Sequence, residues 1–579
     1  MMGLILFVQC AQGATPASAA STISFTGAEL VGTPTASSAV INIIPNSAIE
    51  YYYEYGPSSG SYTGQTAYVT AGAGEASEVA LTGLSANTEY FYRMKYHAPG
   101  DAMNDWVTRD EHSFWTQRAE GSDFVFAITS DIHGQGGGST NFGRALANIA
   151  DDDPDFLMDL GDTFMVDGAS SQSVADGAYL DFRATSRFGL VGVDMPIYLM
   201  PGNHEEEEGW NLDDTPFSAG VGSIQARKMY YPTPVEGDFY TGNTDPLGYI
   251  DEATYGDQLR EDYYAWEWGD VLFVVIDPFQ YTMVLPYYPI AGEESDESVI
   301  DPDQWGWTLG SQQYLWLKDV LSNSDASYKF VFSHNMVGGI PDNSVSGGAG
   351  YVRGGAEAAG YFEWGGLNAD GTPGFADERD EAEFGSMPIH QMFIEYGVSG
   401  YFHGHDHQYV YERRDNIVYQ EMPSAGGMTG FGGIYDEGDH GTYQTIDIVQ
   451  SPGYLRVSIT PEEALVEYVS SASYTDGDVV AYYTIEPNAY EPPEPLLGDA
   501  NHDGLVNSTD ALVVLKGDVG IDISQHCPIE CGDVNDDGYV NSTDALIILK
   551  YDVGLSITQP VGTAGCYEGV VQPSGCSVP

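Results

Sequence analysis

The chain predicts a multidomain fold: an N-terminal all-β sandwich, a larger central α/β domain and a small α-helical module at the C-terminus. Three observations carry that expectation. Aromatic and β-branched residues alternate with turn clusters in the N-terminal part, as in AIEYYYEYGPSSGSYTGQTAYVT; short apolar runs separated by helical patterns follow; and GDANHDGLVNSTDALVVLKGDVG recurs later as GDVNDDGYVNSTDALIILKYDVG. With 579 residues, 42% of them apolar and 13% aromatic, several cores can be built at roughly 100–200 residues per domain, and a wholly disordered chain is excluded.

Lys and Arg number 19 against 86 Asp and Glu, a formal charge of −67. The basic residues are scattered singly, so nucleic-acid binding by charge is not expected. Self-repulsion on this scale is best tolerated where salt shortens the Debye length to about 3 Å at 1 M. The chain therefore reads as salt-adapted, halophilic; an ordinary acidic secreted protein is the alternative.

Residues 1–20 combine an apolar run with small residues and Ala17-Ser18-Ala19, which suits a signal peptide removed on export, although no Lys or Arg precedes the run. A secreted protein, free or held at the cell surface, follows. No later stretch reaches about 18 apolar residues, so no membrane span is expected. Beyond Cys10 in the leader stand Cys527, Cys531, Cys566 and Cys576. An even count in an exported chain favours two disulfides of open pairing over a four-cysteine zinc site.

Residues 21–117 form the sandwich, with no ligand-type cluster and a spacer or lid role. From 122 to 485 the runs FVFAITSD, DFLMDLGD, IYLMPGNH, VLFVVID, KFVFSHN and GYFHGHDH read as buried strands, and NFGRALANIA and SQQYLWLKDVL as helices, which implies α/β layering. Acidic, Gly- and Tyr-rich insertions at 205–262, 280–306 and 338–386 exceed ordinary connections and are expected to rim a site. Within them Trp305, Trp307, Tyr281 and Tyr287 stack a base or sugar, or pack a flap. Asp151, Asp152 and Asp153 read as a solvated charge run, His390 as structural on a helix face, and His403 as a strand neighbour of His405. EPNAYEPPEPLL at 486–497 is a stiff linker. The repeat occupies 498–556, and a tail with two cysteines, 557–579, can fold back onto it.

At the ends of the central runs stand Asp131 and His133, then Asp162, then Asn203 and His204, then His334, then His405 and His407. All are metal-ligand types, and α/β sheets gather ligands at the carboxyl ends of their strands. Two metals about 3.5–4 Å apart need a shared carboxylate, with imidazoles and oxygen donors outside it. Asp131, His133 and His407 can serve one metal, Asn203, His334 and His405 the other, with Asp162 bridging.

In order, DIHG, GDTF, GNHE, the His of VFSHN, and GHDH resemble the blocks of the calcineurin-like metallophosphoesterases, including their purple acid phosphatase branch. LTGLSANTEYFYRMKY resembles the end of a fibronectin type III-like domain, and the sandwich looks like the domain that precedes the catalytic one in purple acid phosphatases. The resemblance implies a β-sandwich flanked by helices, a pair of Fe, Mn or Zn ions, and hydrolysis of phosphate esters by a metal-activated hydroxide. His204 would protonate the leaving group or steady transition-state charge. The purple branch carries a metal-binding Tyr where this chain has Met165, and tends to lack a His at the position of His133. A ferric tyrosinate is therefore not expected.

Both repeats obey an EF-hand-type loop, with oxygen ligands at positions 1, 3, 5, 7, 9 and 12 and Gly at 6. The first offers Asp499, Asn501, Asp503, the Leu505 carbonyl, Asn507 and Asp510; the second Asp533, Asn535, Asp537, the Tyr539 carbonyl, Asn541 and Asp544. Asp at position 12, the missing entering helix and the tandem arrangement resemble a type I dockerin with two Ca2+. That resemblance implies a cohesin partner contacted by Ser508, Thr509, Ser542 and Thr543, in either of two orientations; a calcium-stabilised end cap is the alternative. The whole reads as a phosphoesterase attached to a cohesin-bearing scaffold, against a catalytically silent metal- or phosphate-binding protein displayed there.

Overall fold

The structure is a computed structural model that describes residues 23–576, other than 102–104, 135–139, 213–216, 287–299, 302, 342–353, 386, 428–436, 451, 489–495, 501–505, 522, 524–528, 564, 567–569 and 574–575. Residues 1–22 with Cys10, Tyr287, most of 486–497, Asn501, Asp503, Leu505 and Cys527 lie outside the described residues. Those described fall into two compact units, one reaching to 321 and including 328–487, the other comprising 322–327 and the residues from 488 onward.

The first unit opens with the expected sandwich. Strands Leu30–Gly32, Ser38–Ile43 and Ser77–Thr82 make one sheet, and Ile49–Gly56 pairs antiparallel with Glu89–His97 in the other. In EYFYRMKYH a period of two turns Tyr90, Tyr92, Met94 and Tyr96 inward, against Ile41, Tyr51, Tyr53 and Leu81. The sandwich is fastened to the central domain by Arg183. This fully buried guanidinium donates to Asn42 Oδ1 at 2.8 Å and to the carbonyls of Ala28 at 2.8 Å and Asn42 at 3.0 Å. Burial lowers its pKa only to about 10, so it stays charged at neutral pH. Such a joint suits a fixed spacer better than a hinged lid.

The central domain packs two sheets face to face. Among the described residues the six-stranded sheet runs Ile197–Leu199, Phe156–Asp159, Phe124–Thr129, Gly453–Ile459, Ala464–Ser470, Val479–Ile485, its first three strands parallel. The nine-stranded sheet is centred on the parallel strands Val271–Val275, Tyr328–Ser333, Gly400–His403 and Ile417–Glu421. Phe126, Phe156, Phe273, Phe330, Phe332 and Phe402 fill the space between them. On the outer face of the smaller sheet lies helix Thr140–Asp152, whose Phe142, Ala145, Leu146 and Ile149 follow helical spacing into the core with Tyr179 and Phe182.

Two expectations need correcting. Asp152 is not simply solvated: it accepts from Arg456 Nη1 and from Tyr454 Oη, both at 2.5 Å, because the strand beside the helix brings those donors to its C-terminus. Nor are the described parts of the insertions bare loops. Helix Ala219–Tyr230 sends buried Arg227 to Glu207 at 2.7 Å and to the Arg260 and Glu261 carbonyls at 2.8 Å. Trp305 and Trp307 are buried, their Nε1 atoms each 2.9 Å from Asn368 Oδ1 and the Pro278 carbonyl, and Tyr281 donates to Asp245. Trp305 and Trp307 pack a flap and are not open to a base or sugar.

The C-terminal unit carries helices Ser508–Asp518 and Ser542–Asp552, capped by Asn507 and Asn541, whose side chains accept from Thr509 N and Thr543 N. Ala511, Val514, Ala545 and Ile548 meet Leu497, and Val561 and Val570 of the tail complete the core. The tail does fold back. Gly562 N donates to the Leu497 carbonyl at 2.7 Å, Leu497 N to that of Thr563 at 2.8 Å, and Val571 N to that of Gly538 at 3.0 Å. Cys531 and Cys566 form a disulfide with Cα atoms 4.7 Å apart, and Cys576 is also disulfide-bonded. Among the described residues no helix is long and apolar enough to cross a membrane.

Candidate metal centre

Each central strand ends in a turn that throws one or two polar side chains toward a common point. Asp131 and His133 follow strand Phe124–Thr129, Asp162 follows Phe156–Asp159, and Asn203 and His204 follow Ile197–Leu199; from the other sheet come His334 after Tyr328–Ser333 and His405 and His407 after Gly400–His403. Asp131, His133, Asp162 and His407 bring ligand atoms within 4.8 Å of one another, and so do Asp162, His334 and His405. His133 Nε2 and His407 Nε2 lie 2.9 Å apart. Asn203 Oδ1 is 2.9 Å from His405 Nδ1 and 3.2 Å from His334 Nε2. Asp162 Oδ2 stands between the groups, 3.2 Å from His334 Nε2 and 3.8 Å from His133 Nε2.

The electrostatics of the cluster call for positive charge. Burial would raise Asp131, yet His407 beside it holds its carboxyl down at about 2. Asp162 is held well below the usual range despite burial, chiefly by His334. Burial would lower His334, but Asp162 lifts it to about 10, while burial drops His405 to about 3. Once a cation displaces the His334 proton, the imidazoles, an amide oxygen and two buried carboxylates form a donor set that could hold two divalent transition metals. His334 Nδ1 lies 2.9 Å from the Leu160 carbonyl, which fixes the tautomer that leaves Nε2 facing Asp162.

His204 stands at the edge of this set, half-buried. Its Nδ1 is 2.5 Å from Asp167 Oδ1 and its Nε2 4.0 Å from Asp162 Oδ2. Burial lowers its pKa, but Asp162 and then Asp167 lift it to about 9, so it is cationic at neutral pH. Two neighbours went unnoticed in the sequence. Asp167 is hidden because only the fold brings residue 167 back beside 204. Glu205 is hidden in the run Glu205–Glu208, which reads as solvated surface, yet its carboxyl lies fully beneath the centre, pushed up to about 7 by burial and Asp162 against four N–H donors. His403 is buried beside the cluster and contributes to neither group, and His390 bonds Tyr419 Oη at 2.6 Å and Asp415 at 2.9 Å, a structural place.

In the C-terminal unit the second loop is fully described. Asp533 accepts from Asp537 N at 3.2 Å and Gly538 N at 2.8 Å, and Asp544 from Val534 N at 3.1 Å and Asn541 N at 3.0 Å, closing the loop on itself with Gly538 at φ 81°. Of the first loop, Asp510 accepts in the same way from Ala500 N at 2.9 Å and Asn507 N at 2.8 Å. Among the described residues, the second loop does not draw Asp533, Asp537 and Asp544 as close as the strand-end cluster does its ligands.

Residues 124–409, which hold the strand-end cluster and its two sheets, match the calcineurin-like phosphoesterase family, and the chain carries that domain. It carries a type I dockerin domain as well, matched over residues 497–551. No curated protein matches the chain. Among solved structures, a purple acid phosphatase from yellow lupin (Lupinus luteus) seeds is similar at 14% identity, over 80% of this chain and 75% of that one, with a TM-score of 0.52. A structure of PhoD is similar at 15% identity, over 82% and 92%, with a TM-score of 0.53. At these identities the likeness is one of fold.

Proposed function

We propose that the chain is an exported, salt-adapted phosphoesterase with a binuclear metal centre, carried on a scaffold by its dockerin. The observation that carries the reading is the pair of ligand groups sharing Asp162, with His204 at their edge. Asp131, His133 and His407 would hold one ion of Fe, Mn or Zn, and Asn203, His334 and His405 the other. Such a pair supplies Lewis acidity toward a phosphoryl oxygen and acidifies water. The chain's own part is to orient and protonate. His204 offers the Nε2 proton to a departing ester oxygen, and Asp167, bonded to Nδ1, holds the ring in that orientation.

In the dockerin, Asp499, Asn501, Asp503, Leu505, Asn507 and Asp510, and Asp533, Asn535, Asp537, Tyr539, Asn541 and Asp544, would take two Ca2+, and Ser508, Thr509, Ser542 and Thr543 would meet a cohesin. The boundaries 1–20, 21–117, 122–485, 486–497, 498–556 and 557–579 divide leader, fibronectin type III-like sandwich, catalytic domain, linker, dockerin and tail. Reconstitution with single metals, at high and low salt, and turnover on a panel of phosphate mono- and diesters tests the catalytic half. A metal-loaded protein that binds phosphate and turns over no ester would replace it by the silent binding protein. Calorimetry against type I cohesins tests the other half; no binding would leave a calcium-stabilised cap.

A further inference from the structure

Five of the seven ligand-type residues occupy the left-handed backbone region: Asp131 (φ 54°), His133 (φ 50°), Asp162 (φ 54°), His405 (φ 80°) and His407 (φ 63°). Side chains other than glycine resist this region, so surrounding bonds must over-determine the turns. On the Asp162 side those bonds converge on one carboxylate. Glu205 Oε2 accepts from Gly202 N at 2.7 Å and Asp162 N at 2.9 Å, and Oε1 from Thr163 N at 2.9 Å and Phe164 N at 2.7 Å.

The same three peptide groups work in the opposite direction. Their carbonyls, on Gly161, Asp162 and Thr163, accept from Asp131 N at 3.0 Å, His133 N at 2.8 Å and Gly134 N at 3.3 Å. Three successive peptide planes thus link the Glu205 carboxylate to the turn that carries Asp131 and His133. The fourth bond ties in Gly202, next to Asn203. An ionised carboxylate has about four acceptor positions and no donor, which matches four inward N–H groups; a carboxamide would aim its own N–H at them.

We propose that Glu205 is the positioning residue of the metal centre, its buried carboxylate holding the ligand turns in their left-handed form before any cation arrives. This rests on the metal-centre reading above and adds to it a residue that touches neither metal nor ester. Glu205→Gln keeps size and removes two acceptor positions. The Mn2+ concentration for half-saturation should rise about 10–100-fold, the range for lost partners of metal ligands, and the spin-coupled signal of a Mn2+ pair in electron paramagnetic resonance should weaken. Glu207→Gln, which breaks the neighbouring pair with Arg227, should lower the melting temperature and leave Mn2+ binding unchanged. Unaltered affinity and coupling in Glu205→Gln, or an equal loss in Glu207→Gln, would overturn the proposal.

Amide exchange in the metal-free wild-type chain decides independently of any variant's folding. Protection of the Asp162, Thr163, Phe164 and Gly202 amides is expected, and exchange at free-loop rates refutes the clamp. Were the wild type to take up no Mn2+, the metal-centre reading would fall, while the exchange experiment would still judge the clamp.

Discussion

Replacing Asp167 by Asn separates an orienting role from a chemical one at His204. The imidazole and the carboxylate are 2.5 Å apart, with side-chain exposures of 30% and 40%, so solvent screens the pair. An ion pair this exposed contributes about 0.2–1 kcal/mol, which at 1.36 kcal/mol per pH unit is less than about one unit of pKa. The larger lift on His204 comes from Asp162, which the variant leaves in place. In the metal-free chain His204 carries its proton below about 9 and loses it as pH rises through that value; bound cations, opposing the pull of Asp162, would bring that loss to lower pH. Asp167→Asn should therefore move the alkaline limb of kcat/KM to lower pH by under about one unit, with little change on the acid side. His204→Ala should instead slow turnover by about 10²–10⁴ below the limb, its profile and that of the wild type converging above it. Initial rates on a nitrophenyl ester across the range that brackets the limb would show both. A loss in Asp167→Asn as deep as that in His204→Ala, well below the limb, would place Asp167 in the proton transfer itself; an unmoved limb would mean that the contact exerts no field on the ring.

Asp162→Asn should abolish hydrolysis and lower total metal content in elemental analysis, because one oxygen faces ligands of both groups; full occupancy with activity would refute the shared site. With Met165 in place of a Tyr, the iron-loaded protein should lack a broad visible charge-transfer band, which an absorption spectrum checks. Burial and the nearby Asp533 and Asp537 raise Asp544 from 3.8 to about 6. Its folded form then binds a proton more tightly than the unfolded chain, so the calcium-free C-terminal unit should gain helical stability as pH falls through that value and lose it as pH rises; calcium, competing for the same carboxylate, should bind more weakly on the acid side by calorimetry. Arg183→Met strands buried carbonyls at the sandwich joint and should cost about 3 kcal/mol or more; an unchanged melting temperature would mean that the joint carries no weight.

The parts of the fold that were legible in the sequence are those written in local pattern. Period-two alternation marked strand Glu89–His97, helical spacing marked Phe142 to Ile149, and a residue type that buries only with a purpose, His, Asp or Asn at the end of an apolar run, marked the seven residues that converge. What local pattern cannot encode is which distant groups arrive beside them. Asp152 reads as one of three solvated acids until Arg456, far along the chain, reaches it. The run of Glu205 to Glu208 reads as one acidic surface, yet the fold gives its members different surroundings: Glu205 takes backbone amides, Glu206 accepts from Gly168 N, Glu207 pairs with Arg227, and Asn211 donates to both Glu206 and Glu208. The flap aromatics likewise look available in sequence and are consumed by packing against Pro278 and Asn368.

The way the C-terminal unit closes has a mechanical consequence. Leu497, ahead of the first repeat, is zipped to Gly562 and Thr563 in the tail, and the Cys531–Cys566 bond locks the tail to the chain just ahead of the second loop. A pull along the linker enters at Leu497 and meets these backbone pairs before it reaches either helix. If they yield, the covalent link still keeps residues 531–566 as one closed segment, so the second helix is shielded from tension that would unravel the first. A module built in this way can serve as a tow point, giving up length in one repeat while the other keeps its grip.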